Sequence, residues 1–116
     1  MTTYFFDLDG TLVKQKKGLT EVMTEPLELL PGVIEKLNEI NWANGQIIIT
    51  TGRKESSRQR TIDELARLGI PYDQLIMGLN TSGKRVLINN LKENSDIPTA
   101  IAYNPRQDEG LINIDI

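Results

Sequence analysis

Three consecutive isoleucines, Ile47-Ile48-Ile49, set between Gln46 and Thr50, constrain this chain more than any other stretch. The run is β-branched and does not alternate with polar residues, so it is expected to be a strand with apolar neighbours on both faces, the environment of a parallel sheet. Parallel strands need crossovers, and the flanking sequence supplies them. Pro31-Gly32 opens a pattern in which Val33, Ile34, Leu37 and Ile40 recur at three- and four-residue spacing; this predicts a helix that closes at Asn44-Gly45, with Gly45 left-handed. A second helix is predicted from about Ser56 to Leu68, with Ile62, Leu65 and Leu68 on one stripe and Gly69 as the stop. Tyr4-Phe5-Phe6 reads as the first strand, and Gln74–Met77, Arg85–Ile88 and Thr99–Tyr103 as later ones. Between Thr11 and about Leu30 no period is sustained, so a surface loop or small hairpin is expected there. The order of elements predicts an α/β protein with a doubly wound, Rossmann-like parallel sheet and flanking helices, in one domain over residues 1–116.

Composition removes several classes of function. No apolar run approaches the length of a membrane span, and the start of the chain lacks the basic and apolar segments of a secretory signal. The net charge of −3 argues against general nucleic-acid binding, which needs surplus Lys and Arg to neutralise phosphates. Absence of cysteine fits a reducing compartment, so a cytoplasmic address with no membrane or nucleic-acid partner is expected. Basic residues do cluster locally, as Lys14, Lys16 and Lys17, and again as Arg53, Lys54, Arg58 and Arg60.

In an open α/β sheet, ligands bind beyond the carboxyl ends of the strands. Those positions carry Asp7-Leu8-Asp9-Gly10-Thr11, Thr50-Thr51-Gly52-Arg53 and Asn89-Asn90, with Lys84 just before the last run. The string Phe6-Asp7-Leu8-Asp9-Gly10-Thr11-Leu12-Val13 resembles the first signature of the haloacid-dehalogenase superfamily, a specific pattern of two aspartates around one apolar residue followed by Gly-Thr. The resemblance implies that Asp7 is a nucleophile forming an aspartyl-phosphate, and that an ordinary carboxylate at neutral pH needs no base to activate it. It implies that Asp9 is the general acid toward the leaving oxygen and then the base toward water. Thr51 takes the place of the hydroxyl of the second signature, and Gly10, Thr11, Gly52 and Arg53 would surround the phosphoryl group. Lys84, with Arg85 as its competitor, would neutralise charge as the third signature. Mg²⁺ would be held by the Asp7 carboxylate, the Asp9 carbonyl and the fourth signature.

The fourth signature departs from the family. Acidic residues are expected where this chain has Asn89 and Asn90, which offer oxygen without charge, and Glu93 and Asp96 are the nearest carboxylates. Spacing leaves no room for a cap domain, and Tyr72–Gly78 resembles the corresponding stretch of small capless members. The expected activity is therefore Mg²⁺-dependent hydrolysis of a phosphomonoester, on a sugar phosphate or similar metabolite. The alternative is a catalytically weak or inactive domain used as a binding or regulatory module. The tail Leu111–Ile116 alternates apolar and polar residues, which suits an edge strand, a contact in a homo-oligomer, or a frayed end.

Overall fold

A computed structural model describes residues 1–116, except for the side chains of Leu19, Val22 and Met23. The sheet is built from β1 (Thr3–Asp7), β2 (Gln46–Thr50) and β3 (Gln74–Ile76), all parallel, in the order β1-β2-β3. Helix α1 (Leu19–Thr24) lies between β1 and α2 (Val33–Trp42); α2 joins β1 to β2, and α3 (Arg58–Leu68), led in by a 3₁₀ turn at Glu55–Ser57, joins β2 to β3. Both crossovers advance in the same direction, so right-handedness puts α2 and α3 on one face of the sheet.

That face is the core. Register sets Phe6 beside Ile49 and Ile49 beside Leu75, and these pack with Ile47, Leu37, Val33, Ile40 and Leu65. Each such side chain contributes about 1.5–3 kcal/mol by leaving water. The opposite face carries Phe5, Ile48 and Ile76, and none of these belongs to the core cluster. Phe5 is 53% exposed and Ile76 38%. All three isoleucines are buried, as the absence of alternation predicted, with Ile47 and Ile49 against the helices and Ile48 between Phe5 and Ile76 on the other face.

Other expectations are corrected. The segment after Thr11 is more than a surface loop: Leu12, Val13, Leu27 and Leu30 are buried, and α1 lies on the excursion between them. One antiparallel bridge, Val13 to Leu29, holds that excursion at its base in the manner of a small hairpin, with the Lys14 N–H donating to the Glu28 carbonyl at 2.8 Å and the Leu30 N–H to the Leu12 carbonyl at 3.1 Å. Asn44, with φ 61°, takes the left-handed position beyond α2. Gly45 is needed for space instead, because a side chain there would meet Ile40 and Tyr4. Residues 85–88 and 99–103 form no strand; they lie in an extended segment over residues 79–107 that has neither helix nor strand, and the described sheet stops at three strands. A strand exists only against a neighbour, and residues 80–94 are exposed throughout. The tail is not an edge strand either. Gly110, with φ 77°, brings the chain against Pro31, whose carbonyl accepts from Leu111 N–H at 3.0 Å. Leu111 is buried there, and Ile114 and Ile116 pack on the core.

Candidate active site

The carboxyl ends of β1 and β2 are level, with Asp7 paired to Thr50. Beyond Asp7 the chain turns at once: the Leu8 carbonyl accepts from the N–H groups of Thr11, Leu12 and Val13 at 3.2, 2.9 and 3.2 Å. Leu8 is fully buried, which fixes the turn from beneath and leaves the aspartates on either side of it facing away from the core. Gly10 completes the turn with φ 89°, a conformation closed to most side chains. Its carbonyl accepts from the Asp108 N–H at 2.9 Å, and the Asp108 carboxylate accepts from the Gln15 N–H at 2.8 Å. Asp108 itself stands at φ 62°, which Asp tolerates better than most residues. Nothing in the sequence singled it out; the turn-forming string Gln107-Asp108-Glu109-Gly110 was its one signal.

Asp7 and Asp9 occupy different environments. Asp7 has no side-chain partner among the described residues. Partial enclosure pushes its carboxyl above the ordinary 3.8, and the charge of Asp9 adds to the rise; the Leu8 N–H and the charge of Arg85 oppose it. The direction is that of desolvation at the sheet end, which disfavours the charged form. Asp9 is clamped instead. Arg53 donates Nε to one carboxylate oxygen at 2.8 Å and Nη2 to the other at 2.7 Å. The Arg53 side chain is only 4% exposed and that of Asp9 17%, so this fork is largely dry.

Arg53 owes its position to the turn after β2. Thr51 is buried, and its hydroxyl accepts from the Arg53 N–H at 3.1 Å. Gly52 packs beneath Leu79 and Thr81, where a Cβ would stand 2.8 Å from the Thr81 methyl. The Arg53 carbonyl accepts from Gly78 N–H at 2.8 Å, and that of Thr51 from Leu79 N–H at 3.2 Å. The basic cluster read in the sequence does not form one patch. Arg58 pairs with Glu55 and donates to the Leu75 carbonyl, and Arg60 donates to the Glu25 carbonyl.

Asp7, Asp9, Gly10, Thr11, Thr51, Gly52 and Arg53 thus share two adjoining loops. Lys84 and Arg85 are both exposed, and the charge of Arg85 is the one that lowers the Asp7 carboxyl. Asn89 and Asn90 lie apart in their bonding. The Asn89 amide donates to the Thr99 hydroxyl at 2.8 Å, whose oxygen donates in turn to the Asn90 carbonyl at 2.7 Å, and the Asn90 amide donates to the Leu91 carbonyl. Depressions of about 390 Å³ beside Asn41, Asn44 and Asp73, and of about 200 Å³ beside Lys14 and Glu21, lie away from the Asp7 carboxylate.

The fit to a divalent cation is incomplete within the single chain. Asp7 is the one carboxylate of the motif with free oxygens, Asp9 is filled by Arg53, and no group of three Asp, Glu, His or Cys side chains converges among the described residues. The Asn amides that would stand for the fourth signature bond within their own segment.

No family model matches the chain, and neither does any curated protein. Solved structures do. A chain of the Pnkp1/Rnl/Hen1 complex matches with a TM-score of 0.58 at 24% identity, over 72% of this chain and 30% of that one. The D,D-heptose 1,7-bisphosphate phosphatase of B. bronchiseptica, complexed with magnesium and phosphate, matches at 0.54 and 18%, over 66% and 49%. A protein from Vibrio cholerae matches at 0.54 and 22%, over 78% and 80%. The chain has a haloacid-dehalogenase-like fold. It spans half or less of the length of the first two of these neighbours. None of its described helices is long and apolar enough to cross a membrane.

Proposed function

We propose that the chain is a phosphomonoester hydrolase that works through an aspartyl-phosphate on Asp7. The supporting observation is the contrast between two neighbouring carboxyls: Asp7 is unpartnered at the open end of β1, while Asp9 is locked in a buried guanidinium fork. An Asp7 oxygen attacks phosphorus, the bond from phosphorus to the leaving oxygen breaks, and that oxygen takes a proton from Asp9. Water then attacks the same phosphorus, gives its proton to Asp9, and releases phosphate and the Asp7 carboxylate. For Asp9 to serve, Arg53 must release it and the freed carboxylate must take a proton from solvent, and a bound phosphoryl group is the competing anion that can draw the guanidinium away. Lys84 or Arg85 takes the charge-neutralising role, and the charge of Arg85 is the one that bears on Asp7. Thr51, Gly10 and Thr11 line the phosphoryl position, and Gly52 serves by letting Leu79 pack close.

The substrate is a phosphorylated small molecule, in keeping with a cytoplasmic address and a surface without net positive charge. Magnesium, present in the heptose bisphosphate phosphatase, is an expectation that the single chain's ligands leave incomplete, and no step above depends on it. One assay tests the whole reading: phosphate release from p-nitrophenyl phosphate, titrated with Mg²⁺, for the native chain and for Asp7→Asn. Turnover that survives Asp7→Asn refutes the aspartyl route. The second reading, a weak or inactive binding module, is supported by the Arg53 clamp and the diverted Asn pair. It gains if native turnover is absent while inorganic phosphate still binds.

A further inference from the structure

The chain leaves the sheet after β3 and returns only near Asp108, and the arm between is apolar yet uncovered. Val86, Leu87, Ile88, Leu91, Ile97, Ile101 and Tyr103 are all exposed, Ile88 to 90%. The arm is held in this form from within. Asn89, Asn90 and Thr99 tie its two limbs together, and a turn at Lys92–Ser95 closes its tip. Both ends are fastened to the body, by Leu79 to Thr51 and by Asp108 to Gly10. The arm shows in the overall dimensions, 51 × 30 × 25 Å. The radius of gyration of 14.9 Å exceeds the about 13.4 Å of a compact chain this long.

The same chain lacks a matching piece. Parallel sheets occur almost only with both faces covered, and this one has helices on one face. On the other, Phe5 and Ile76 reach solvent on either side of the buried Ile48, and among the described residues no strand lies on the outer edge of β1. Phe5 and the seven apolar side chains of the arm together expose on the order of 800 Å², one partner's share of a standard interface. An exposed apolar segment with strand-forming residues and an unpaired apolar sheet edge on one chain are self-complementary, the requirement for a closed two-fold assembly.

We propose that two copies of this chain exchange arms, the segment around Val86–Ile88 of each covering the open face and β1 edge of the other. The second copy is the occupant because one chain carries both halves of the contact. An arm tied at both ends and across its middle is already shaped to reach outward.

The chain has no cysteine, which makes the test clean. Phe5→Cys combined with Ile88→Cys is oxidised mildly and run without reductant, beside light-scattering mass measurement of the native chain. The expected results are a disulfide-linked dimer and a native mass twice the 13.1 kDa of one chain. A link formed within one chain, or a native mass of one chain, overturns the proposal. So does a native dimer that gives no link. Val86→Asp with Ile88→Asp changes side chains that the single chain leaves in solvent, so its circular dichroism should match the native chain while its mass falls to the monomer's. A dimer that persists in that variant also overturns it.

Discussion

Removing the guanidinium of Arg53 is the most informative single change. Arg53→Ala leaves the Asp9 carboxylate facing a vacancy, with both hydrogen bonds of 2.8 and 2.7 Å gone. Breaking a fully buried ion pair costs about 3–5 kcal/mol, because the abandoned charge stays desolvated. Asp9 retains 17% exposure, so water recovers part of that. The expected loss is about 2–4 kcal/mol, and at roughly 3–6 °C per kcal/mol for a chain of this length the midpoint should fall on the order of 10 °C. The assay is urea and thermal unfolding of the native chain, Arg53→Ala, Asp9→Asn and the double variant. In the Asp9→Asn background the charge is already absent, so Arg53→Ala should cost about 1–3 kcal/mol less. Equal losses in both backgrounds, or a loss under about 1 kcal/mol in the native one, would show that the fork is not what holds the two loops together. Arg53→Lys should recover little, since an ammonium cannot span both oxygens.

Further expectations follow from single sites. The Asp7 carboxyl is raised above 3.8, so the folded chain binds more protons than the unfolded one between that value and the raised one, and stability falls as pH rises through that window. Asp7→Asn should therefore unfold at a higher temperature than the native chain at neutral pH, and lower at no pH above that window; the acid limb of native activity should lie above 3.8. The Thr61 hydroxyl is buried with no hydrogen-bond partner among the described residues, so Thr61→Val should be neutral or stabilise by about 1 kcal/mol in urea unfolding. Gly110→Ala combines φ 77° with a Cβ driven into the Pro31 carbonyl, and should lose more than about 2 kcal/mol while the amide signals of β2 stay unshifted.

Most of the sheet and both crossover helices were legible because their cues are local. Ile47–Ile49, the stripe of Val33, Leu37 and Ile40, and Gly69 at φ 73° each act within a few residues. The strand expected at Arg85–Ile88 failed on a different ground: its residues suit a strand, but among the described residues no strand stands beside them. Thr11–Leu30 misled because burial there comes from adjacent pairs such as Leu12-Val13, which follow neither a helical nor a strand period. In the site, the aspartate motif was readable as a string, whereas the partner of Arg53 was not. Asp9 lies 44 positions away, and an arginine after a strand carries no mark of the carboxylate it will meet.

The two motif loops and the arm share their anchors. The arm departs through Gly78 and Leu79, which donate to the carbonyls of Arg53 and Thr51, and returns through Asp108, which donates to the carbonyl of Gly10. Whatever seats the arm therefore bears on the residues that hold Asp9 and shape the turn after Asp7. If phosphate binding opens the fork between Arg53 and Asp9, the strain passes to Gly78 and hence to the arm. Linkage then requires that phosphate and arm seating alter each other's equilibrium by the same factor. Sedimentation of the native chain with and without inorganic phosphate measures that factor directly, and Arg53→Lys, with a weaker hold on Asp9, should shrink it. An association constant that phosphate leaves unchanged in both chains would mean that the anchors transmit nothing, and that the arm and the site share a loop without sharing a function.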